Sequence, residues 1–451
     1  MKILRNIFKV SIANLLSFGS SFIVGFILPL VLSVESFGIY RKFLLYLSQI
    51  FIFNLGFNDG IYIKYGGKEI KSLDKTKVIN EHNFIIMYHS LITLIMLLIA
   101  IQNKNEILFY ISISIFLYLS NGYFSNMFQS LNEFTYFSRA NYFKTIIYII
   151  LLSFGVFIFK IKSYKYYILI QIVSFAVQYI YYEVVFLGYF GFQFNKQETV
   201  YFSVFRVGFL ILIGNMATSL IGNIGSFVVN YFFKIEDFAQ YSFQISVLNV
   251  ILLFVNSVGV VFYNVILKIS NNNVLNLIKK FNFILGIISS LSFFVFKFII
   301  ISYLPKYSSS IPILAITFLA IPVIITINIL INNLYKTKKI EKKYFIDSVV
   351  MVIISFIIIL FGVTIFKSLI SVAIGTVISY YLYYIYLCFY RFSYLRLERN
   401  EIFIIFTFFI TFYTISNFEN YIFGFVLYLL YVITIVNFNK KTIYRIIMYL
   451  K

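Results

Sequence analysis

Long runs of apolar residues, separated by short polar segments, occupy almost the whole chain. An α-helix rises 1.5 Å per residue, so roughly 20 mainly apolar residues cross the hydrocarbon core of a bilayer. On this rule the pattern predicts an all-α polytopic membrane protein with about fourteen transmembrane helices and no soluble domain. The predicted spans lie near residues 8–32, 42–63, 83–101, 107–131, 141–159, 167–188, 205–230, 239–266, 281–302, 310–333, 344–362, 367–390, 401–416 and 421–437.

The composition supports a membrane protein. Of the 451 residues, 61% are hydrophobic and 12% are charged, and the mean hydropathy is +0.93. A soluble protein carries roughly 25% charged residues. The formal net charge of +21 would suggest nucleic acid as the partner of a soluble protein. Here the basic residues lie between apolar runs. They therefore indicate the orientation of the chain in the membrane and contact with anionic lipid headgroups, and no nucleic acid is expected.

The distribution of Lys and Arg predicts the orientation in the membrane. If the N-terminus is cytoplasmic, 27 of the 37 basic residues fall in segments on the cytoplasmic side. Cytoplasmic loops are enriched in Lys and Arg, so we expect both termini to be cytoplasmic. All outer segments are short, and no extracytoplasmic domain is predicted.

The chain also contains an internal repeat at an offset of 201 residues. Arg5 aligns with Arg206 and Asn14 with Asn215, and nine of the 36 positions in residues 5–40 are identical to their counterparts. Shared apolar composition does not explain why Arg, Asn and Glu fall in the same register. We therefore predict two six-helix bundles, residues 1–200 and 201–398, followed by two additional helices and a basic tail in 399–451. Because each half has an even number of spans, the halves would surround a central cavity as parallel repeats.

Enzyme signatures are absent from the sequence. Gly66-Gly67-Lys68 lacks the upstream Gly and the following hydroxyl of a phosphate-binding loop. His82 and His89 are the only histidines, and no cluster has metal-ligand spacing. We therefore expect no enzymatic activity, no cofactor and no metal.

The first and seventh predicted spans carry polar stripes that include Asn14 and Asn215. Close packing through small residues is one interpretation, and a cavity wall that meets polar groups of a substrate is the other. Arg5 and Arg206 lie at the predicted cytoplasmic ends of these spans. They could anchor the spans, or bind phosphate through the two-pronged guanidinium.

Five further positions are candidates for binding or ion coupling. Arg41 and Lys42 lie on the predicted outer side, against the charge rule, and could contact lipid or receive a pyrophosphate. Asp59 and Lys64 could form an interfacial ion pair, or Asp59 could carry a coupling proton. His89 could be a satisfied buried histidine or part of a proton relay.

Several segments resemble the polysaccharide-repeat-unit flippases, a branch of the multidrug/oligosaccharidyl-lipid/polysaccharide exporter superfamily. They are Pro29 with Ser33–Tyr40 and Leu55-Gly56-Phe57, then Ile235–Tyr241, and Tyr307–Ile325 with Pro312 and Pro322. The resemblance covers about the first 340 residues and the number of spans. One departure is that no clear Arg or Lys lies deep in the seventh or eighth span, where some members carry charge in the lumen.

The resemblance implies a flippase of the bacterial inner membrane that moves polyprenyl-pyrophosphate-linked oligosaccharide outward by alternating access. The partners it implies are that lipid and the polymerase and glycosyltransferases of the pathway. Two alternative functions also belong to polytopic membrane proteins. A cation-coupled multidrug exporter would need an acidic, aromatic cavity, and a polysaccharide polymerase or ligase would need a substantial outer loop.

Overall fold

The computed structural model describes residues 23–193 and 201–450 apart from 268 and 270, and within these residues the protein is helical with no strand. The predicted all-α membrane fold is confirmed. Among the described residues, helix covers most of each predicted span, and of the first span residues 23–31 form helix α1. In the described part, eight helices are long and apolar enough to cross a membrane, or nine with one bent pair. The count of fourteen stays a prediction.

The chain divides into two compact units, Met1–Ser219 and Leu220–Lys451. This division falls inside one long helix. The domain boundaries that the internal repeat predicts, at residues 200 and 398, remain predictions. The first unit contains α1 and the helices that follow it as far as the first part of α8. They are α2 (Val34–Leu47), α3 (Phe57–Tyr65), α4 (Lys75–Gln102), α5 (Glu106–Ser130), α6 (Phe134–Ser153), α7 (Tyr164–Phe190) and α8 (Phe202–Phe232).

The second unit continues with shorter and more interrupted helices. They are α9 (Ile235–Leu267), α10 (Asn272–Ser289), α11 (Ser292–Tyr303), α12 (Ser310–Phe318), α13 (Ile321–Thr326), α14 (Asn332–Thr337), α15 (Glu341–Phe366), α16 (Leu369–Tyr386), α17 (Arg399–Ser416), α18 (Tyr421–Phe438) and α19 (Lys440–Leu450). A 48° bend between Phe318 and Ile321 breaks the predicted span at 310–333. Pro322 lies in the first turn after this bend, where its missing N–H costs no helical hydrogen bond.

The second predicted span, 42–63, is a broken helix. α2 ends at Leu47, a 3₁₀ turn covers Ile50–Asn54, and α3 begins at Phe57. Between them, Leu55 and Gly56 have φ angles of 51° and 86°. Left-handed backbone of this kind ends a helix, and glycine adopts it without steric cost. The continuous apolar sequence conceals this break.

α3 packs very closely on the first part of α8. A Cβ atom at Gly208 would clash with the backbone of Gly56, and one at Gly60 would clash with the backbone of Val204. Glycine at these positions lets the two backbones approach, as small residues do in membrane helix pairs. The other side of α3 packs on buried aromatic side chains of α5, including Tyr123 and Phe124.

Three basic side chains in the second unit are held by polar contacts. Arg391 donates to both carboxylate oxygens of Asp347, each at 2.5 Å, and the Tyr335 hydroxyl donates to the same carboxylate at 2.5 Å. Lys279, fully buried, pairs with Glu401 of α17 at 2.9 Å. Lys297 is 6% exposed and donates to the carbonyls of Ser416 and Phe418, at 2.9 and 2.6 Å. The last two bonds join α11 to the C-terminal end of α17.

Candidate functional site

The first unit contains a polar cavity of about 400 Å³, lined by residues of α3, α5, α6, α7 and α8 and of the turn before α3. Carboxamide side chains dominate its wall. They belong to Asn54, Asn58, Asn121, Asn126, Asn141, Gln178 and Asn215. Phe51, Tyr118 and Phe175 supply aromatic surface beside them. A cavity wall of this kind offers hydrogen bonds to polar groups and apolar area to ring faces.

The break before α3 positions two of the lining residues. The Asn54 side chain accepts a hydrogen bond from the backbone N–H of Asn58 at 3.2 Å and so caps the new helix. Asn58 then donates from its side chain to the carbonyl of Leu119 in α5 at 3.0 Å. Gly122 leaves room for this amide, since a Cβ there would lie 2.9 Å from its nitrogen.

Similar contacts fix the amides of α5, α6 and α7. Asn121 donates to the backbone carbonyl of Phe175 at 2.9 Å, and Gln178 donates to the side-chain oxygen of Asn141 at 3.2 Å. The side-chain oxygens of Asn58 and Asn121 are buried and accept no hydrogen bond from a described residue. The nitrogen-to-carbonyl bonds therefore determine which way these amides point.

The cavity has one cationic and one anionic side chain among its lining residues. Lys144 of α6 lies with its ammonium 4.8 Å from the centre of the Phe175 ring. Asp59 of α3 also lines the cavity and is half-buried. Neither forms a salt bridge or a hydrogen bond with any residue the structure describes. Unpaired ionisable groups inside a membrane unit are costly and are candidates for function.

Of the predicted substrate-binding residues on α8, one lines this cavity and the other does not. Asn215 lines the cavity, together with Ser219. Arg206 lies on the same helix, α8, with an exposed side chain that is not part of the cavity wall. Arg5 and Asn14 lie outside the described residues, so the pairing of these positions with their repeat partners stays a prediction.

Arg41 and Lys42 lie on α2 and do not line the cavity. Both side chains are half-buried. The Nε atom of Arg41 is buried and has no hydrogen-bond partner among the residues that the structure covers. A role for these two residues in binding pyrophosphate stays a prediction.

Asp59 and Lys64, the predicted ion-coupling pair, have different surroundings. Lys64 forms an ion pair with Glu81 of α4, and Tyr65 donates to the other oxygen of Glu81 at 2.5 Å. Lys64, Lys77 and Glu81 line a second cavity of about 360 Å³ in this unit. Asp59 faces the amide-lined cavity instead.

His89 is fully buried and its Nδ1 lies 3.1 Å from the hydroxyl of Ser120. Its Nε2 has no partner within the described part of the chain. His82 lies seven residues earlier on the same helix, where its Nε2 is 3.2 Å from the Glu183 carboxylate and its ring stacks on Phe186. The two histidines have separate partners, and a relay through His89 stays a prediction.

The second unit contains a smaller cavity of about 100 Å³. Gly222, from the predicted polar stripe, lines it with Gln244, Thr317 and Tyr380. The Thr317 hydroxyl donates to the side-chain oxygen of Gln244 at 2.9 Å. No group of three or more potential metal ligands occurs among the described residues.

A family model described as polysaccharide biosynthesis protein matches residues 3–270, more than half of the chain. The chain belongs to this family. The resemblance predicted from the sequence motifs is thereby confirmed. No curated protein sequence matches the chain.

Solved structures show which fold this member of the polysaccharide biosynthesis family has. The lipid II flippase MurJ in an inward closed conformation is 17% identical and matches with a TM-score of 0.70, covering 96% of this chain and 99% of MurJ. An inward-facing multidrug resistance MATE family transporter is 13% identical, with a TM-score of 0.64, covering 86% of this chain and 98% of the transporter. The family member is therefore a multi-pass membrane protein with a MATE-like transporter fold.

Proposed function

We propose that this protein moves polyprenyl-pyrophosphate-linked oligosaccharide repeat units from the inner to the outer leaflet of the bacterial cytoplasmic membrane, for surface polysaccharide biosynthesis. The observation that supports this most is the amide-lined cavity of about 400 Å³ within a membrane-spanning unit of a family member. MurJ, which has the same fold, is itself a lipid flippase by name. The proposed role is transport without chemical conversion of the substrate.

A polar passage is what such a substrate needs. Each unpaired hydroxyl or amide that enters hydrocarbon costs a few kcal/mol, so a head of several sugars cannot cross a bilayer unaided. The carboxamides of Asn58, Asn121 and Asn126 can exchange hydrogen bonds with such a head. The prenyl tail can remain in lipid throughout.

The electrical potential across the membrane can drive this step. With cytoplasmic termini, as the basic residues predict, export carries the negative charges of the pyrophosphate outward. Each gains roughly 2.3 kcal/mol per 100 mV of inside-negative potential. This proposed cycle therefore requires no ATP. Arg5, Arg206, Arg41 and Lys42 are the proposed pyrophosphate contacts.

A cation-coupled multidrug exporter is the competing proposal, because a MATE transporter shares the fold. An exporter of cationic drugs would need an acidic and aromatic cavity. The cavity of the first unit has aromatic side chains, but it is not acidic: its described lining has seven carboxamides, one carboxylate and one ammonium, which fits a polyhydroxylated ligand better. The proposed protein partners are the polymerase and glycosyltransferases of the polysaccharide pathway.

Deletion of the gene followed by leaflet analysis tests the proposal. Lipid-linked oligosaccharide is labelled with a membrane-impermeant periodate reagent in intact cells and again after permeabilisation. We expect the intermediate to accumulate on the cytoplasmic side and surface polysaccharide to fall, with recovery on re-expression of the wild-type chain. Unchanged surface polysaccharide together with altered drug efflux would refute the flippase and support the exporter.

A further inference from the structure

The charge balance of the amide-lined cavity limits which part of the substrate it can hold. Among its lining residues, Lys144 carries the positive charge and Asp59 the negative charge. No described carboxylate lies within ion-pair distance of Lys144, and no described cation within that distance of Asp59. Within the described residues, the ammonium of Lys144 therefore lies in a membrane unit without a counterion.

A pyrophosphate group fits this cavity poorly. It carries about two negative charges as a diester, whereas the described lining residues offer one ammonium, that of Lys144, to pair with them. Burying a charge without a partner is expensive in low dielectric, so one ammonium would leave at least one negative charge uncompensated. A carboxylate, with a single charge, matches the single ammonium of Lys144.

The surroundings of Lys144 suit a sugar ring. Its ammonium lies over the ring of Phe175, and Asn121 is bound to the backbone of the same residue. Asn141 lies one helical turn before Lys144 on α6 and lines the same wall. A sugar held here would place ring carbons against Phe175 and hydroxyls against carboxamides, while its acidic group reached Lys144.

Resting on the proposed flippase function, we infer that this cavity binds a sugar carboxylate of the oligosaccharide and that Lys144 determines the preference for an acidic sugar. Asp59 faces the remaining, uncharged part of the head as a hydrogen-bond acceptor. The pyrophosphate then lies outside the amide-lined cavity. The substrate class is thus a lipid-linked oligosaccharide that contains a uronic-type sugar.

The test is binding of three probes to the purified full-length protein in lipid nanodiscs. The probes are a prenyl pyrophosphate alone, the same lipid with one neutral hexose, and the same lipid with one hexuronic acid. We expect the wild type to bind the hexuronic acid probe about tenfold more tightly than the hexose probe, as a charge-assisted hydrogen bond would give. Lys144→Gln should abolish this preference without changing the affinity for the bare prenyl pyrophosphate.

Three further variants separate recognition from folding and from general electrostatics. Lys144→Arg keeps the charge and should keep most of the preference, whereas Arg139→Gln removes an exposed cation from the same helix, outside the cavity, and should keep all of it. Asp59→Asn removes the negative charge, so the preference should stay or rise. Thermal unfolding in detergent identifies any variant that does not fold, and Lys144→Met then replaces Lys144→Gln.

Two results would overturn the inference while the proposed function stands. One is a wild type that binds the hexose and hexuronic acid probes equally well. The other is a Lys144→Gln variant that loses affinity for all three probes by the same factor, which would put the pyrophosphate at this lysine. Failure of every probe to bind would instead count against the flippase itself.

Discussion

Arg206 presents an exposed guanidinium on α8, nine residues before Asn215, which lines the amide-lined cavity. A guanidinium binds phosphate oxygens through two parallel hydrogen bonds, and charge-assisted bonds of this kind are stronger than neutral ones. If Arg206 receives the pyrophosphate, its removal should slow export. If it only anchors the helix, other exposed basic residues should matter equally.

We therefore predict that Arg206→Ala slows export of the lipid-linked oligosaccharide roughly tenfold, about the cost of one charge-assisted bond. Lys441→Ala, which removes an exposed cation from α19, should have little effect. The rate of appearance of the intermediate in the outer leaflet measures both. Equal rates in the two variants would leave Arg206 as an anchor only.

Single residues were predictable from the sequence by type, but their partners were not. Asp59 attracts attention as a carboxylate in an apolar run, yet only its nearness in the sequence paired it with Lys64. The structure pairs Lys64 with Glu81 of α4 instead. In the sequence, Lys144 served only as one of the basic residues that predict the orientation in the membrane. Nothing in the sequence of α6 reveals that Phe175 of α7 lies against it.

At the scale of elements, the contact between α3 and α8 depends on Gly56 and Gly208. A methyl group on Gly208 would overlap the backbone of Gly56, which cannot move aside as a flexible side chain could. Overpacking a close contact costs about 1–3 kcal/mol, and a backbone clash belongs at the upper end of that range. This contact also holds α3 and the cavity residue Asn58 in place.

We predict that Gly208→Ala lowers the free energy of unfolding in detergent by about 3 kcal/mol. Gly214→Ala is a matched control on the same helix, because no described atom lies within 4 Å of a Cβ placed there. There the better helix propensity of Ala should leave stability equal or slightly higher. Thermal unfolding followed by circular dichroism compares them, and similar melting temperatures would contradict the role of the contact.

Most helices could be predicted from hydrophobic runs, because membrane helices must satisfy their own backbone hydrogen bonds. The breaks could not. Leu55 has a left-handed backbone, which is unusual for a leucine, and it directly precedes Gly56, which lies against the backbone of Gly208 in α8. Asn54 and Gly56 are the local signs, a capping amide followed by a glycine, and they are visible only once a break is suspected.

At the scale of the whole molecule, the electrical potential should set the rate of transport. We predict that export slows several-fold in intact cells when valinomycin and equal potassium concentrations remove a potential of about 100 mV. The reason is that each exported charge then loses roughly 2.3 kcal/mol of driving force. The measurement is the leaflet distribution of the lipid-linked oligosaccharide over time. A pH gradient without a potential is the control. A rate that follows the pH gradient alone would contradict this mechanism.

The class of the whole protein was the most predictable feature, since the apolar content and the basic residues together allow only a polytopic membrane protein. The family followed from motifs such as Ser33–Tyr40 and is confirmed by the match over residues 3–270. The candidate site was predictable only as a set of amides. Asn121, Gln178 and Asn215 were visible as polar residues in apolar spans, but their convergence on one cavity depends on packing.

Lys279 and Lys297 make other helices of the second unit depend on α17 and the turn after it. Both lysines satisfy their ammonium groups partly or wholly on α17 and the turn after it, through Glu401 and the carbonyls of Ser416 and Phe418. A chain cut after residue 398 would leave Lys297 facing hydrocarbon, at a cost of several kcal/mol. An engineered form without α17 should therefore need an apolar residue in place of Lys297.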